Sequence, residues 1–226
     1  MIKTILFDLD GTLLNRDASV KAFIDDQYDR LSHVVSHIPR QVYIDRFIAL
    51  DQRGYVWKDK VYQQMVSELE LKGVTWEDLL HDYITEFQHH CVAFPKLIPM
   101  LEELKDRHIS LGMITNGFGQ FQMNNIEALG IKAYFEAIFI SEWEGLRKPD
   151  PKLFHRALTK LKASKEESMF IGDHPDNDVR AARNLGMKAV WKRDDHFERV
   201  DAVGIVDDLM DLPTLLDHLN NKQSIK

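Results

Sequence analysis

The chain contains a single cysteine, Cys91, among 226 residues, so it cannot form a disulfide within itself. Sparse cysteine is typical of a reducing compartment, and we expect a cytoplasmic protein. The sequence also lacks an apolar run long enough to cross a bilayer, so no membrane partner is expected. The short apolar run in MIKTILFDLDG is interrupted by acids, and no signal peptide is predicted.

An excess of positive charge is also missing. Lys and Arg number 29 against 36 Asp and Glu, which gives a net charge of -7. No general nucleic-acid-binding surface is therefore expected, and an anionic ligand would need a local cation. With 44% hydrophobic and 29% charged residues, the composition is that of an ordinary globular protein, which we predict to be a monomer or a homodimer.

Hydrophobic spacing divides the chain into a helical block and an alternating region. From 15 to 92, apolar residues recur at intervals of three and four, the period of a helix. Residues 1–14 and 93–226 instead alternate short apolar strands with helices, which is typical of a parallel sheet with helices on both faces. We therefore predict a Rossmann-like α/β core at 1–14 and 93–226, with an α-helical domain inserted at 15–92.

Local signals place the elements of both regions. Thr75 with Asp78 resembles a capping box at the start of a helix. The polar C-terminal tail, NNKQSIK, is predicted to be disordered. The predicted strands are 2–7, 109–115, 137–141, 168–172, 188–192 and 204–208.

Charged and hydroxyl side chains follow four of the predicted strands where each strand ends. Because ligands of parallel α/β sheets bind at the carboxyl ends of the strands, we expect these side chains to converge at one edge. The alternative for each taken alone is an ordinary turn or a solvated surface residue. In chain order they are Asp8 and Asp10, then Thr115 with Asn116, then Lys148, and finally Asp173 with Asp178.

These residue types suit a divalent cation and a phosphoryl group. Clustered carboxylates repel one another, and Mg²⁺ relieves that repulsion because it prefers oxygen ligands, often with a substrate phosphate. Lys148 would supply positive charge and Thr115 a hydroxyl donor. One aspartate can attack phosphorus to form an aspartyl-phosphate, while a second, two residues away, protonates the leaving alcohol and then activates water.

The same residues, taken in order, resemble the four motifs of the haloacid dehalogenase-like (HAD) hydrolases. The first motif, hydrophobic-Asp-x-Asp-Gly-Thr, is matched by FDLDGT. The second is matched by Thr115 in ITNG, and the third by Lys148 in RKPDP. The fourth is matched by the acids Asp173 and Asp178 in IGDHPDND. Four motifs in the family's order are much more specific than the first alone.

The resemblance extends from Ile2 to about Trp191 and implies a phosphatase of a small phosphorylated metabolite, such as a nucleotide, a sugar phosphate or phosphoglycolate. The helical block at 15–92 would be the family's cap, inserted after the first strand. Haloacid dehalogenases proper lack the second aspartate of the first motif, so Asp10 favours a phosphatase over a dehalogenase. The other alternative, a phospho-acceptor signalling domain, has no large helical insertion and orders its acids differently.

By position in these motifs, the resemblance implies a role for each residue. Asp8 would be the nucleophile and a metal ligand. Asp10 would be the general acid and base, with its main-chain carbonyl on the metal. Thr115 and Lys148 would hold the phosphoryl oxygens, and Asp173 would ligate Mg²⁺.

Four further assignments depend on position alone. The spacing favours Asp178 over Asp176 as the second acid of the metal site. Asn116, next to the second-motif threonine, is a candidate for substrate binding. So are Arg53 and Lys58 in LDQRGYVWKDKVYQ, because a glycine-containing loop with cations and aromatics suits an anionic substrate. The alternative for that loop is an exposed helix connection with solvated charges.

Overall fold

The computed structural model describes residues 1–223, which form two compact units. One unit consists of Met1–Asn15 together with the chain from Ala93 onward, and the other is Arg16–Val92. The chain therefore leaves the first unit and returns to it once. Within the described residues, no helix has both the length and the apolar character needed to cross a membrane.

Within residues 1–223, the first unit contains a six-stranded parallel sheet with the strand order β3-β2-β1-β4-β5-β6. Each strand lies inside its predicted segment, and the predicted α/β fold class is confirmed. The strands are β1 (Thr4–Phe7), β2 (Ser110–Thr115), β3 (Ala137–Ile140), β4 (Ser168–Gly172), β5 (Lys188–Lys192) and β6 (Gly204–Val206).

The strand order creates a topological switch between β1 and β4. The chain begins at β1, adds β2 and β3 on one side, and then adds β4 on the other side. At such a switch, the connections diverge and open a crevice at the carboxyl ends of the strands. Phe7 pairs with Ile171, and the main-chain N–H of Asp8 donates to the Ile171 carbonyl at 2.9 Å. The residues that follow β1 and β4 therefore emerge beside this crevice.

The second unit is helical along its described length, as the hydrophobic period predicts. Its interior is aromatic: Phe23 packs edge-on against Tyr83 at 5.1 Å between ring centroids, and Phe47 packs against Tyr62 at 5.4 Å. The helices are α1 (Arg16–Arg30), α2 (Ser32–Val35), α3 (Arg40–Asp51), α4 (Lys58–Glu68) and α5 (Trp76–Glu86), with short 3₁₀ turns at Gln52–Gly54 and Phe87–His90.

The helices of the first unit cover both faces of its sheet. The side chains of successive β1 residues point to opposite faces: Leu6 packs in a cluster with Phe154 of α9 and Phe170, while Phe7 lies edge-on to Phe135 at 6.3 Å. Because both faces are covered, all four residues of β1 are buried. The helices are α6 (Leu97–Asp106), α7 (Gly119–Ala128), α8 (Ser141–Glu144), α9 (Pro151–Lys160), α10 (Ala181–Asn184) and α11 (Asp211–Gln223).

Two local predictions have different outcomes. The capping box is confirmed: the Asp78 N–H donates to Thr75 Oγ1 at 3.2 Å, and the Thr75 N–H donates to Asp78 Oδ2 at 2.9 Å. The disordered tail is wrong for 220–223, because α11 continues to Gln223. Residues 224–226 lie outside the described part of the chain.

Candidate active site

Two glycines make room for an acidic cluster in the crevice between β1 and β4. Gly11 has a φ of +80°, and a Cβ there would lie 2.4 Å from Asp173 Oδ2. A Cβ on Gly172 would lie 2.4 Å from Asp178 Oδ2. Both approaches are shorter than any real contact, so glycine at each position is what allows the carboxylates to come so close to the main chain.

The cluster consists of Asp8, Asp173 and Asp178, whose carboxylate oxygens lie within 4.8 Å of one another. The buried Lys148 Nζ lies 2.5 Å from Asp8 Oδ1 and 2.7 Å from Asp178 Oδ1. Thr12, also buried, places its hydroxyl 3.5 Å from Asp8 Oδ2. The structure thus brings together four predicted site residues from three separate loops. They are Asp8, Lys148, Asp173 and Asp178.

Burial and repulsion from neighbouring carboxylates make Asp8 and Asp173 hard to ionise. Burial raises the pKa of Asp8 from 3.8 to about 6, in spite of the opposing charge of Lys148. Burial and the charges of Asp8 and Asp178 raise the pKa of Asp173 well above its ordinary value. Burial alone would lower the pKa of Lys148, but the charges of Asp178 and Asp8 outweigh it and raise that pKa.

A histidine shapes the loop that follows β4. The main-chain N–H groups of Asp176 and Asn177 donate to His174 Nδ1 at 3.1 and 3.2 Å, so this imidazole caps the π-helical turn Pro175–Arg180. The His174 N–H in turn donates to Asp178 Oδ2 at 3.1 Å. Burial lowers the pKa of His174, which favours the neutral imidazole that this acceptor role requires.

The same loop separates the two candidates for the second acid. Asp178 is buried within the cluster, whereas Asp176 is exposed and pairs with Arg180 on the same turn. The structure therefore gives Asp178, and not Asp176, a position beside Lys148.

Asp10 and Thr115 are joined by a residue that the sequence did not single out. Gln122 on α7 donates from its Nε2 to Asp10 Oδ2 at 2.6 Å and to Thr115 Oγ1 at 2.8 Å. Both Thr115 and Gln122 are buried. In the sequence, nothing distinguishes Gln122 from the exposed Gln120 two residues earlier on the same helix.

Asn116 holds the loop that carries the lysine. Its Nδ2 donates to the Lys148 carbonyl at 3.0 Å, and the Lys148 N–H donates to its Oδ1 at 2.8 Å. This reciprocal pair ties the end of β2 to the segment before Pro149. The amide of Asn116 thus contacts the main chain of Lys148, and the substrate-binding role of Asn116 stays a prediction.

Arg53 and Lys58 lie in the helical unit, beside the buried Asp51. Lys58 forms an ion pair with Asp51, whose other carboxylate oxygen lies 2.7 Å from Arg16 Nη2. Arg53 lies 3.3 Å from Asp17. The substrate-binding role of Arg53 and Lys58 stays a prediction.

The donor set of the crevice fits a hard divalent cation. The carboxylates of Asp8, Asp173 and Asp178 lie close together, and the Lys148 ammonium pairs with Asp8 and Asp178, so the cluster has a surplus of negative charge. Carboxylate oxygens are the ligands that Mg²⁺ prefers, and an added dication would relieve the repulsion that, together with burial, raises the pKa values of Asp8 and Asp173.

Comparison with known proteins identifies the family of the chain. Residues 5–192 match the family described as haloacid dehalogenase-like hydrolase. The glyceraldehyde 3-phosphate phosphatase of Methanocaldococcus jannaschii is 33% identical over 199 residues, which cover 84% of each chain.

Two solved structures are similar over almost the whole chain. A HAD phosphatase from Thermococcus onnurineus is 26% identical with a TM-score of 0.66, covering 95% of this chain and 98% of that one. A 2-haloacid dehalogenase from Pseudomonas syringae is 25% identical with a TM-score of 0.64, covering 97% and 100%. The chain belongs to the haloacid dehalogenase-like hydrolases, and it is a hydrolase.

Proposed function

We propose that this protein is a Mg²⁺-dependent phosphatase that hydrolyses a small phosphorylated metabolite through an aspartyl-phosphate. The observation that carries the proposal is the position of Lys148, whose ammonium lies between Asp8 and Asp178 at the switch point of the sheet. A carboxylate beside a fixed cation can approach an anionic phosphoryl group without prohibitive repulsion. The named relatives, two of which are phosphatases, support the same class of reaction.

In the first step, an Asp8 oxygen attacks phosphorus and the bond from phosphorus to the ester oxygen breaks. Asp10 gives its proton to the departing oxygen, which leaves as an alcohol. In the second step, Asp10 takes a proton from water as that water attacks phosphorus. The bond from phosphorus to Asp8 breaks, releasing inorganic phosphate and the Asp8 carboxylate.

The remaining residues of the cluster hold the phosphoryl group and the metal. Lys148 and the Thr115 hydroxyl would bind phosphoryl oxygens, and Asn116 would keep Lys148 in place through its main chain. Asp8, Asp173 and Asp178, with the Asp10 carbonyl, would hold Mg²⁺. When bound, the ion would supply positive charge that stabilises the phosphoryl oxygens during transfer.

The relative from Methanocaldococcus jannaschii supports a small phosphorylated substrate for this chain as well. We propose that the helical unit selects it, with Arg53 and Lys58 as the cations that recognise an anionic leaving group. The cytoplasmic location and the monomeric or homodimeric state stay predictions.

Dehalogenation is the second candidate, since one structural relative is a 2-haloacid dehalogenase. The contact between Gln122 and Asp10 favours the phosphatase. A halide leaves without a proton, whereas an alkoxide requires one, and a second carboxyl two residues after the first, fixed by the Gln122 amide, is suited to that transfer. Halide release from a 2-haloacid is therefore expected to be absent.

The test is phosphate release from p-nitrophenyl phosphate by the purified protein, before and after removal of metal with EDTA. We expect activity that disappears with EDTA and returns with Mg²⁺. Asp8→Asn keeps the shape of the side chain but removes the nucleophile, so kcat is expected to fall by at least about 1,000-fold. Full activity of Asp8→Asn would exclude the mechanism.

The two acids of the loop after β4 provide a matched comparison. Asp178→Asn is expected to weaken Mg²⁺ dependence and activity strongly, because this acid is buried beside Lys148. Asp176→Asn alters an exposed acid on the same turn and is expected to retain most activity. The reverse order would mean that Asp178 is not the acid of the metal site. A phospho-aspartate that accumulates without turnover would indicate a phospho-acceptor domain instead.

A further inference from the structure

A buried amide connects Asp10, in the loop after β1, with Thr115, the last residue of β2. Gln122 Nε2 lies 2.6 Å from Asp10 Oδ2, 2.8 Å from Thr115 Oγ1 and 3.4 Å from the Asn116 carbonyl. Gln122 is 2% exposed, so water does not compete for these hydrogen bonds. A side-chain amide nitrogen carries two hydrogens, which suffice for the two short contacts.

Neighbouring residues determine which way this amide points. Asn125, one helical turn later, donates from its Nδ2 to Gln122 Oε1 at 3.3 Å, so the oxygen faces the helix and the nitrogen faces the site. The Gln122 side chain passes directly beneath Gly117, where a Cβ would lie 2.6 Å from Gln122 Cγ. The absence of a side chain at Gly117 thus leaves the space that Gln122 occupies.

We propose that Gln122 is a positioning residue for phosphoryl transfer, which acts through Asp10 and Thr115. The inference rests on the proposed phosphatase function and adds a residue to it. By donating to Asp10 Oδ2, the amide fixes the orientation of the carboxyl that carries and delivers the proton. By donating to Thr115 Oγ1, it directs the threonine's own O–H away from the amide, toward a phosphoryl oxygen.

The Gln122 side chain therefore holds both the proton donor, Asp10, and the phosphoryl-binding Thr115 in a fixed orientation. Asp10 moves a proton to the departing oxygen and later from water, so an Asp10 carboxyl free to rotate would present the wrong oxygen for part of the time. The effect should be largest where the leaving group most needs a proton. This dependence separates a positioning role from a general loss of structure.

The test is Gln122→Met, which keeps an unbranched side chain of similar length but has no amide. Wild type and variant are compared on phenyl phosphates, from nitro-substituted to unsubstituted, in order of increasing basicity of the phenol. We expect kcat/KM to fall by less than about 10-fold for the best leaving group and by about 100-fold for phenol. The plot of log kcat/KM against leaving-group basicity should therefore be steeper for the variant.

The control is Gln120→Met on the same helix. The exposed Gln120 amide donates to Asn124 Oδ1, away from Asp10 and Thr115. Gln120→Met should leave both the rates and the slope unchanged. Equal losses of Gln122→Met across all esters, or no loss, would overturn the proposal. If Gln122→Met does not fold, as judged by its thermal unfolding, Gln122→Glu replaces the donor with an acid of the same shape and should steepen the slope in the same way.

A second readout separates this inference from the proposed function. If the wild type hydrolyses none of the esters, the proposed function fails, whatever Gln122 does. The Gln122 side-chain amide signals can still be followed by ¹H–¹⁵N NMR of the intact protein. They should shift in both Asp10→Asn and Thr115→Val, and unchanged signals in the two variants would exclude the contacts themselves.

Discussion

At the scale of single residues, the site is defined by an imbalance of charge. Three carboxylates lie close together, and the buried Lys148 ammonium pairs with two of them, Asp8 and Asp178. Glycines at 11 and 172 and the capping imidazole of His174 allow this arrangement. Such an arrangement lowers stability unless a cation joins it, because buried like charges repel. The cost is consistent with a site selected for chemistry over stability.

Asp8 should make the metal-free protein less stable as pH rises. Its pKa is raised from 3.8 to about 6 on folding, mainly by burial. Above pH 3.8, the unfolded chain releases this proton while the folded protein retains it to about pH 6, so stability contributed at low pH is lost over that interval. A shift of this size corresponds to about 3 kcal/mol, taken as an upper value.

The measurement is urea unfolding of wild type and Asp8→Asn in EDTA between about pH 4 and about pH 7. The free energy of unfolding of Asp8→Asn relative to wild type should increase over this range. Added Mg²⁺ should stabilise the wild type more than the variant, because it binds the ionised cluster. If the difference in the free energy of unfolding between the two proteins did not change with pH, the raised pKa of Asp8 would be contradicted.

At the scale of elements, the short loops that follow the strands hold the site residues. The ends of the helices determine where those loops run. The loops after β1 and β4 lie on either side of the switch point, and α7 carries Gln122 back to the end of β2. Helix starts use local hydrogen bonds, such as the Asp150 carboxylate that accepts from the Lys152 N–H at 2.9 Å at the start of α9. The residues that form these contacts are only a few positions apart, so the sequence alone can predict them.

The capping box of α5 provides a prediction that is independent of the site. Thr75→Ala removes the side-chain acceptor for the Asp78 N–H, so the free energy of unfolding should fall by about 1 kcal/mol. Activity should stay the same, since α5 contributes no proposed catalytic residue. Urea unfolding followed by circular dichroism measures the first, and the phosphatase assay measures the second.

A matched control for the cap lies on the same helix. Thr85 Oγ1 donates to the His81 carbonyl at 3.0 Å inside α5, a contact that caps nothing. Thr85→Ala is expected to change stability by less than about 0.5 kcal/mol. Equal losses for the two threonines would show that the cap has no special contribution.

At the scale of the whole molecule, the chain leaves and re-enters the α/β unit at adjacent points. Leu14 and Ala93 form an antiparallel bridge, and the Phe94 N–H donates to the Leu13 carbonyl at 3.0 Å. Both contacts lie within the α/β unit. A short loop could therefore join Asn15 to Ala93 without disturbing the sheet.

Replacement of 16–92 by a four-residue Gly-Ser linker should give a folded α/β protein. We expect one cooperative thermal transition and a circular dichroism spectrum with less helix but with the parallel sheet retained. We expect this because contacts within the α/β unit already hold together the two places where the chain leaves it and returns to it. Thermal unfolding and spectra of the purified protein provide the measurement.

The control is a deletion of the same length displaced by ten residues, 26–102. It removes the first half of α6, whose residues Leu97, Met100 and Leu101 are buried in the α/β unit. This variant should not fold cooperatively. A failure of the 16–92 replacement together with success of the displaced deletion would contradict the division into units.

The sequence predicted the six strands, the helical block, the three acids of the cluster and Lys148. It did so because these features have local signals: hydrophobic period, turn residues, and acids at strand ends. His174 and Gln122 were not predicted as site residues, since a histidine or glutamine in a polar stretch has no signal of its own. The helical tail at 220–223 was missed because its polar residues continue a helix that begins at Asp211.

By itself, the sequence determined which residue types stand at the carboxyl ends of the strands, and hence the class of chemistry. Only the tertiary structure showed that Asp178 is buried beside Lys148 while Asp176 is exposed, because a difference of two residues on a tight turn separates solvent from the buried cluster. It also decided that Gln122, rather than Gln120, contacts Asp10 and Thr115. Hydrogen bonds between segments far apart in the chain depend on the register of the sheet and the path of each helix, which no local pattern encodes.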